Sequence, residues 1–136
     1  LDAVFSLPAE MFYPGASVVA CCMIWELGVR HEAANIPTFF GYFKDDGFVK
    51  RKNLGRVERI DPITGEGVWK KIHDKWLNLY QSRTEEVGLS AIQKVSFADE
   101  WCAEAYMDTD YSTLSEKDFI QKLVDYSAFL VQNEDI

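Results

Sequence analysis

The 136-residue chain is poor in the residues that usually carry hydrolytic or metal-dependent chemistry. It has two histidines and three cysteines, with no nucleophile elbow, zinc-ligand spacing or calcium-loop pattern. No apolar run approaches the roughly 18 to 20 residues of a membrane span. The first residues, LDAVFSLP, lack the basic start and cleavage site of a signal peptide. These absences argue against a hydrolase, a metal site, a membrane protein and a secreted protein.

The cysteines indicate a reducing compartment. Cys21 and Cys22 are neighbours in an apolar stretch that reads as a strand, so their side chains should point to opposite faces as packed thiols. Cys102 leaves the count odd, which does not suit a disulfide framework. A reducing cytoplasm is therefore expected. The absence of an initiating Met suggests a fragment.

Glycine and proline do not occur in the patterns that bind nucleotides. The eight glycines make neither a GxGxxG nor a Walker sequence, and the four prolines are never adjacent. We expect no cofactor site in this chain. A nucleotide-binding half, if the protein has one, would lie elsewhere.

The charge is unevenly distributed. The net charge is -8, yet residues 44–59 hold six basic side chains against three acidic ones, while residues 99–136 hold ten acidic ones against two lysines. A polarised molecule with a local basic patch is expected.

The N-terminal half reads as strands. AVFSL (3–7) and SVVACCMIWEL (17–27) predict a β-hairpin, and TFFGYFK (38–44) turns at Asp-Asp-Gly into FVKRK (48–52) as a second hairpin. Positions 18–27 are apolar apart from one glutamate, and a strand of this composition is normally buried on both faces of its sheet. A sheet neighbour is therefore missing from this chain.

The C-terminal half predicts two main helices. Apolar residues recur at helical spacing from Trp69 to Tyr80, and again after an N-cap at Ser115. The second helix should bury a stripe made of Phe119, Ile120, Leu123, Tyr126 and Leu130. Residues 90–97 predict a strand and 98–107 a short helix. The expected fold is a single α+β domain with a mostly antiparallel sheet.

A basic cluster is the most specific feature of the sequence. Lys50, Arg51, Lys52 and Arg56 follow Phe39, Phe40, Tyr42 and Phe43. Aromatic and basic residues together are typical of nucleic-acid surfaces. Alternatively, the rings face the core and the charges guard an edge strand, and composition alone favours this second interpretation.

The acidic residues near the C-terminal end have a plainer explanation. Carboxylates in a group can hold a metal or act as acid and base. A solvated acidic surface is the simpler interpretation of this set: Asp99, Glu100, Glu104, Asp108 and Asp110.

The segment LDAVFSLPAEMFYPGASVVACCMIWELG resembles the last two strands of the catalytic domain in N6-adenine DNA methyltransferases, of the type I restriction–modification M-subunit kind. FFGYFKDDGFVKRKNLGR, the tryptophan-containing helix, WCAEAYMDTDY and the last helix extend the resemblance over nearly the whole chain. It implies a terminal methyltransferase hairpin at 1–28 and a C-terminal extension at 38–136.

The resemblance also implies what is missing. Such enzymes bind S-adenosylmethionine at a Gly-rich motif and place adenine with an Asn/Asp-Pro-Pro-Tyr/Phe motif, and this chain has neither. The chain would be inactive alone, would complete the sheet, and would contact DNA or restriction–modification subunits. Lys50, Arg51, Lys52 and Arg56 are its candidate DNA contacts, and the isolated chain should self-associate through its unpaired hairpin.

Two other functions remain open from the sequence. The acidic C-terminal third suits a free-standing protein-interaction module or a DNA mimic. Four tryptophans, at positions 25, 69, 76 and 101, would suit a small-ligand pocket if they met in one place, although buried tryptophans are more often core.

Overall fold

A computed structural model describes residues 1–16, 18–109 and 111–133, so Ser17 of the predicted second strand and Asp110 of the acidic group lie outside it. In the described residues the chain forms six strands and two main helices, which confirms the α+β class. The strands are β1 (Ala3–Ser6), β2 (Cys21–Ile24), β3 (Thr38–Tyr42), β4 (Phe48–Arg51), β5 (Gly55–Glu58) and β6 (Ser90–Gln93). The helices are α1 (His31–Ala34), α2 (Trp69–Ser82) and α3 (Glu116–Asn133).

One four-stranded sheet organises the chain, in the order β2-β1-β3-β6. β1 pairs antiparallel with β2 and parallel with β3, and β3 pairs antiparallel with β6. The predicted hairpin and the mostly antiparallel sheet are confirmed. The same sheet contains β1 and β2, which precede residue 28, and β3 and β6, which lie from residue 38 onward. The division into a hairpin at 1–28 and an extension at 38–136 stays a prediction.

The core lies on both faces of the two central strands. Because side chains alternate along a strand, Val4 and Phe40 face one side of the sheet while Ala3 and Phe39 face the other. All four are fully buried. The first pair packs against Val95, Ala103 and partly buried rings, and the second against α2.

Helix α2 confirms the helical spacing from Trp69 to Tyr80 and runs two residues further. Trp76, Leu79 and Tyr80 pack against the sheet. Gly41 of β3 makes this close approach possible, since a Cβ atom there would lie 2.7 Å from the Phe5 ring and 2.9 Å from Trp76. The absence of a side chain at Gly41 therefore sets how near α2 lies to the sheet.

The predicted hairpin of residues 38–44 with 48–52 is wrong. β3 is already paired on both edges, by β1 and β6, so it offers no edge to β4. β4 instead pairs with β5, a strand that the sequence pattern did not predict. The Asp-Asp-Gly turn redirects the chain: Gly47 N donates to Asp45 and Phe48 N to Asp46. Likewise, within the predicted helix 98–107 only Ala103–Ala105 form a 3-10 turn.

Strand β2 is the exposed edge of the sheet. Its outer edge is unpaired within the described chain, and Cys21, Cys22 and Met23 are exposed. The prediction that Cys21 and Cys22 are packed thiols is wrong for this chain. In the described part of the predicted strand 17–27, only Cys21–Ile24 form a strand, so the predicted length is wrong. The apolar run 18–27 is largely exposed, and a missing sheet neighbour stays a prediction.

Helix α3 begins as predicted, after Ser115, whose N–H and hydroxyl donate to Asp118 at 2.8 and 2.6 Å. These bonds lower the pKa of the Asp118 carboxyl. The predicted burial of its stripe is wrong, because residues 116–132 are all exposed and Leu123 is 67% accessible. Helical spacing specifies an apolar face but not what covers it. No helix in the described residues is long and apolar enough to cross a membrane.

Self-association of the isolated chain remains a prediction, and α3 gives it a second cause beside the β2 edge. The apolar face of α3 exposes Phe119, Leu123, Tyr126 and Leu130 in one row, and contiguous exposed apolar patches often mark contact sites. We expect the average mass in sedimentation to rise with protein concentration. The double substitution Leu123→Glu and Leu130→Glu should reduce this rise, because it places charge in the centre of that face.

A matched control exists on the same helix. Gln121→Glu with Lys122→Gln changes the net charge by the same two units on the polar face and should leave association unchanged. A monomer mass at every concentration would contradict the prediction. Association that survives Leu123→Glu with Leu130→Glu would assign it to the β2 edge alone.

Candidate nucleic-acid interface

The β4–β5 hairpin holds three of the four predicted contact residues at its tip. Lys50 and Arg51 end β4, and Lys52 begins the turn into β5. All three side chains are exposed. The turn is tight because Asn53 adopts a left-handed conformation with φ of 64°, which asparagine tolerates well. Lys50 and Arg51 are neighbours in a strand, so their side chains point to opposite faces of the hairpin, and Lys52 lies in the turn between the strands.

Arg56 is placed differently. It stands opposite Lys50 in the hairpin register, but its side chain turns back towards the core and is 15% exposed. Its guanidinium forms an ion pair with Asp46 at 2.6 Å and lies 5.5 Å from the Phe48 ring centre. Asp46 is itself buried. The structure therefore groups Lys50, Arg51 and Lys52 and holds Arg56 in a structural ion pair beside them.

The loop between β1 and β2 lies against this hairpin. The Lys50 ammonium is 4.1 Å from the centre of the Tyr13 ring and 3.8 Å from the Glu10 carboxylate. Arg56 also donates to the Met11 carbonyl at 3.4 Å. Phe12, in the same loop, is half exposed. The basic tip and an aromatic loop 40 residues away in sequence form one surface.

The aromatic residues that precede the cluster in sequence are not part of this surface. Phe39 and Phe40 are fully buried. Phe43 packs 5.2 Å from Trp76 between ring centres. The core interpretation is therefore correct for these rings. Tyr13 was not predicted as a neighbour of the cluster, because its position depends on long-range packing. The sequence signal is a Phe-Tyr pair, Phe12 and Tyr13, in a proline-containing loop.

The acidic residues form no metal site in the part of the chain that the structure describes. Glu104 accepts a hydrogen bond from the buried Ser6 hydroxyl at 2.6 Å, and Asp99 accepts from the Ser96 N–H and hydroxyl. Those two bonds lower the pKa of the Asp99 carboxyl. These carboxylates thus hold local structure together.

The four tryptophans do not share one pocket. Trp69 and Trp76 belong to α2 on one face of the sheet, and Trp101 packs with the cluster on the other. Trp25 lies 5.6 Å from Trp101 between ring centres. A pocket built from all four is therefore wrong, and the chain contains two separate tryptophan pairs.

The comparisons with known proteins support a link to restriction–modification. The chain is 30% identical over 131 residues to the Type II restriction enzyme and methyltransferase RM.BcgI from Heyndrickxia coagulans. The aligned part is 95% of this chain and 19% of the relative, so the chain spans about a fifth of the length of the curated protein it matches. No protein-family model and no solved structure matches the chain.

This similarity agrees with the resemblance found in the sequence at the level of the restriction–modification class. The relative combines a restriction enzyme and a methyltransferase, according to its name. The finding does not concern the target base, the subunit type or the DNA contacts.

Proposed function

We propose that this chain is a non-catalytic part of a restriction–modification DNA methyltransferase that acts on the N6 position of adenine. Its role is to complete the methyltransferase sheet and to supply DNA and subunit contacts. The observation that carries the proposal is the exposed apolar edge strand β2, in a chain of which 95% aligns with 19% of a restriction enzyme and methyltransferase.

Sheet completion follows from the state of β2. An unpaired, apolar edge strand is a template for further strands and an aggregation hazard when left open. β1 and β3 are covered on both faces, whereas β2 is exposed beside them. A strand from the rest of the enzyme would satisfy the free backbone groups of β2. S-adenosylmethionine and the catalytic residues would be held by that other part.

The exposed face of α3 supports the subunit contact. The side chains of Phe119, Leu123, Tyr126 and Leu130 follow a four-three-four spacing, which lines them along one face of a helix. Packing an apolar face of this length against another helix stabilises the helix. In the intact enzyme this face would lie against another subunit or domain.

The basic tip supports the DNA contact. Lysine and arginine bind phosphates by displacing condensed counterions, and each contact adds about 0.9 to the slope of log affinity against log salt. Lys50, Arg51 and Lys52 would add about three to that slope, which is useful within a larger interface and too little for tight binding alone. Phe12, in the loop that contacts Lys50, is half exposed, and an exposed aromatic ring can stack on an unpaired base.

Charge reversal of the tip tests the DNA contact. We expect Lys50→Glu, Arg51→Glu and Lys52→Glu together, in the intact enzyme, to weaken DNA binding by at least about 100-fold at moderate salt and to lower the salt slope by about three. Binding measured by fluorescence anisotropy over a range of salt concentrations gives both quantities.

The control is a charge-matched triple substitution on α2. Lys70→Glu, Lys71→Glu and Lys75→Glu change the net charge equally at another exposed surface. DNA affinity and salt slope that fall equally in both triple variants would count against a specific role for the tip. Unchanged affinity in the tip variant would remove the DNA contact from the proposal.

A further inference from the structure

A cavity lies beyond the C-terminal end of β2, where the chain leaves the sheet. Its volume is about 420 Å³, and it is lined by Trp25, Arg30, His31, Glu32, Phe97 and Trp101. The two indole rings stand 5.6 Å apart between centres with their planes at 67°. They form two walls of a corner, and Phe97 contributes a third aromatic group.

The loop that carries two of these rings is held in a fixed shape. The Trp101 indole N–H donates to the Ser96 carbonyl at 2.8 Å. Asp99 accepts from the Ser96 N–H at 2.7 Å and from its hydroxyl at 2.8 Å, and Ala98 N donates to that hydroxyl at 3.2 Å. Within this bonded loop Phe97 is 84% exposed. A large ring held out in solvent by a preformed loop lowers the entropy cost of binding a ligand.

The cavity lining carries both signs of charge, with the Glu32 carboxylate and the Arg30 guanidinium. The segment 94–104, which supplies Phe97 and Trp101, holds three acids against one lysine. Aromatic faces attract cations through their quadrupoles, and tryptophan does so most strongly. Aromatic walls beside the Glu32 carboxylate therefore favour a cation of low hydration.

We propose that this cavity binds a methylated ammonium group, placed against the faces of Trp25 and Trp101 with Glu32 as its counter-charge. Methyl groups suit the apolar walls, and they remove the hydrogen-bond donors that an unmethylated ammonium would have to leave unsatisfied there. The proposal depends on the geometry of this cavity and is independent of the proposed role in DNA methylation.

A pair of isosteric probes tests the proposal. Choline and 3,3-dimethylbutan-1-ol have the same shape, but only choline carries a charge. We expect choline to shift two of the four indole N–H signals in an NMR titration of the 136-residue chain. Its apparent affinity should exceed that of the neutral compound by at least about tenfold, the factor expected of a partly desolvated cation–π site.

Substitutions at exposed positions keep the test independent of folding. Phe97→Ala and Glu32→Gln should each weaken choline binding by at least about threefold, while Trp69→Phe, on the other face of the sheet, should leave it unchanged. N6-trimethyllysine and lysine amides, titrated in the same way, distinguish a peptide side chain from a free small molecule as the source of the group. Equal affinity for choline and its neutral isostere would overturn the proposal, as would choline binding that neither substitution weakens or an absence of indole shifts.

Discussion

Replacing Phe40 with alanine is expected to cost about 3 to 5 kcal/mol in the free energy of unfolding, the range found when large aromatic residues are truncated in cores. Phe40 is fully buried in a central strand and packs against Val4, Val95 and Ala103. Its ring centre lies 4.6 Å from that of Tyr106. Truncation would leave a cavity between the sheet and the segment that covers this face, and both would lose contacts.

Urea denaturation followed by tryptophan fluorescence, at one protein concentration for all variants, measures the effect. Phe97→Ala is the matched control, because it removes the same ring from an exposed site and should change the free energy of unfolding by less than about 0.5 kcal/mol. A Phe40 variant as stable as the control would show that this face of the sheet is not part of the cooperative core.

The features that the sequence predicted correctly depend on local patterns. The spacing of Trp69, Trp76 and Tyr80 specifies one face of a helix wherever that helix packs, so α2 was predictable. The β1–β2 hairpin was predictable from two apolar runs bounded by prolines and glycines. The exposed cations of the β4–β5 tip follow from composition alone, because lysine and arginine rarely stay buried without a partner.

The features that were missed depend on contacts between distant parts of the chain. The parallel pairing of β1 with β3 joins residues about 36 positions apart, and it leaves no edge for the predicted second hairpin. The contact of Tyr13 with Lys50 likewise depends on how the first loop packs. For α3, periodicity described a face correctly but carried no information about a partner for it.

The candidate site likewise combines residues whose grouping follows from sequence proximity with one residue whose role depends on burial. Lys50, Arg51 and Lys52 lie together because they are adjacent in a hairpin, which sequence proximity already implied. Arg56 is equally close in sequence but differs in role, because Asp46 is buried at the base of β4 and requires a counter-charge. Charge composition does not distinguish an arginine that faces solvent from one that neutralises a buried carboxylate.

The second large effect on the free energy of unfolding is expected for Asp46→Ala, which removes the carboxylate paired with Arg56. Removing one partner of a buried ion pair leaves the other charge desolvated, which costs about 3 to 5 kcal/mol. Arg56 is poorly placed to compensate, since its Nε atom is already buried without a hydrogen-bond partner among the described residues. Because the Asp46 and Arg56 side chains are only 5% and 15% exposed, we expect a loss of about 3 kcal/mol in the free energy of unfolding, nearly independent of salt.

Asp45→Ala is an unusually close control for this experiment. Each aspartate accepts a hydrogen bond from the backbone N–H two residues later, and each forms an ion pair with an arginine, but the pair of Asp45 with Arg59 is exposed. The control should therefore lose no more than about 1 kcal/mol, and salt should reduce that loss. The double variant Asp46→Ala with Arg56→Met should recover most of the stability, because it removes the stranded charge as well. Equal losses in the two single variants, or no recovery in the double variant, would show that Arg56 is not held by Asp46 and would return it to the set of available DNA contacts.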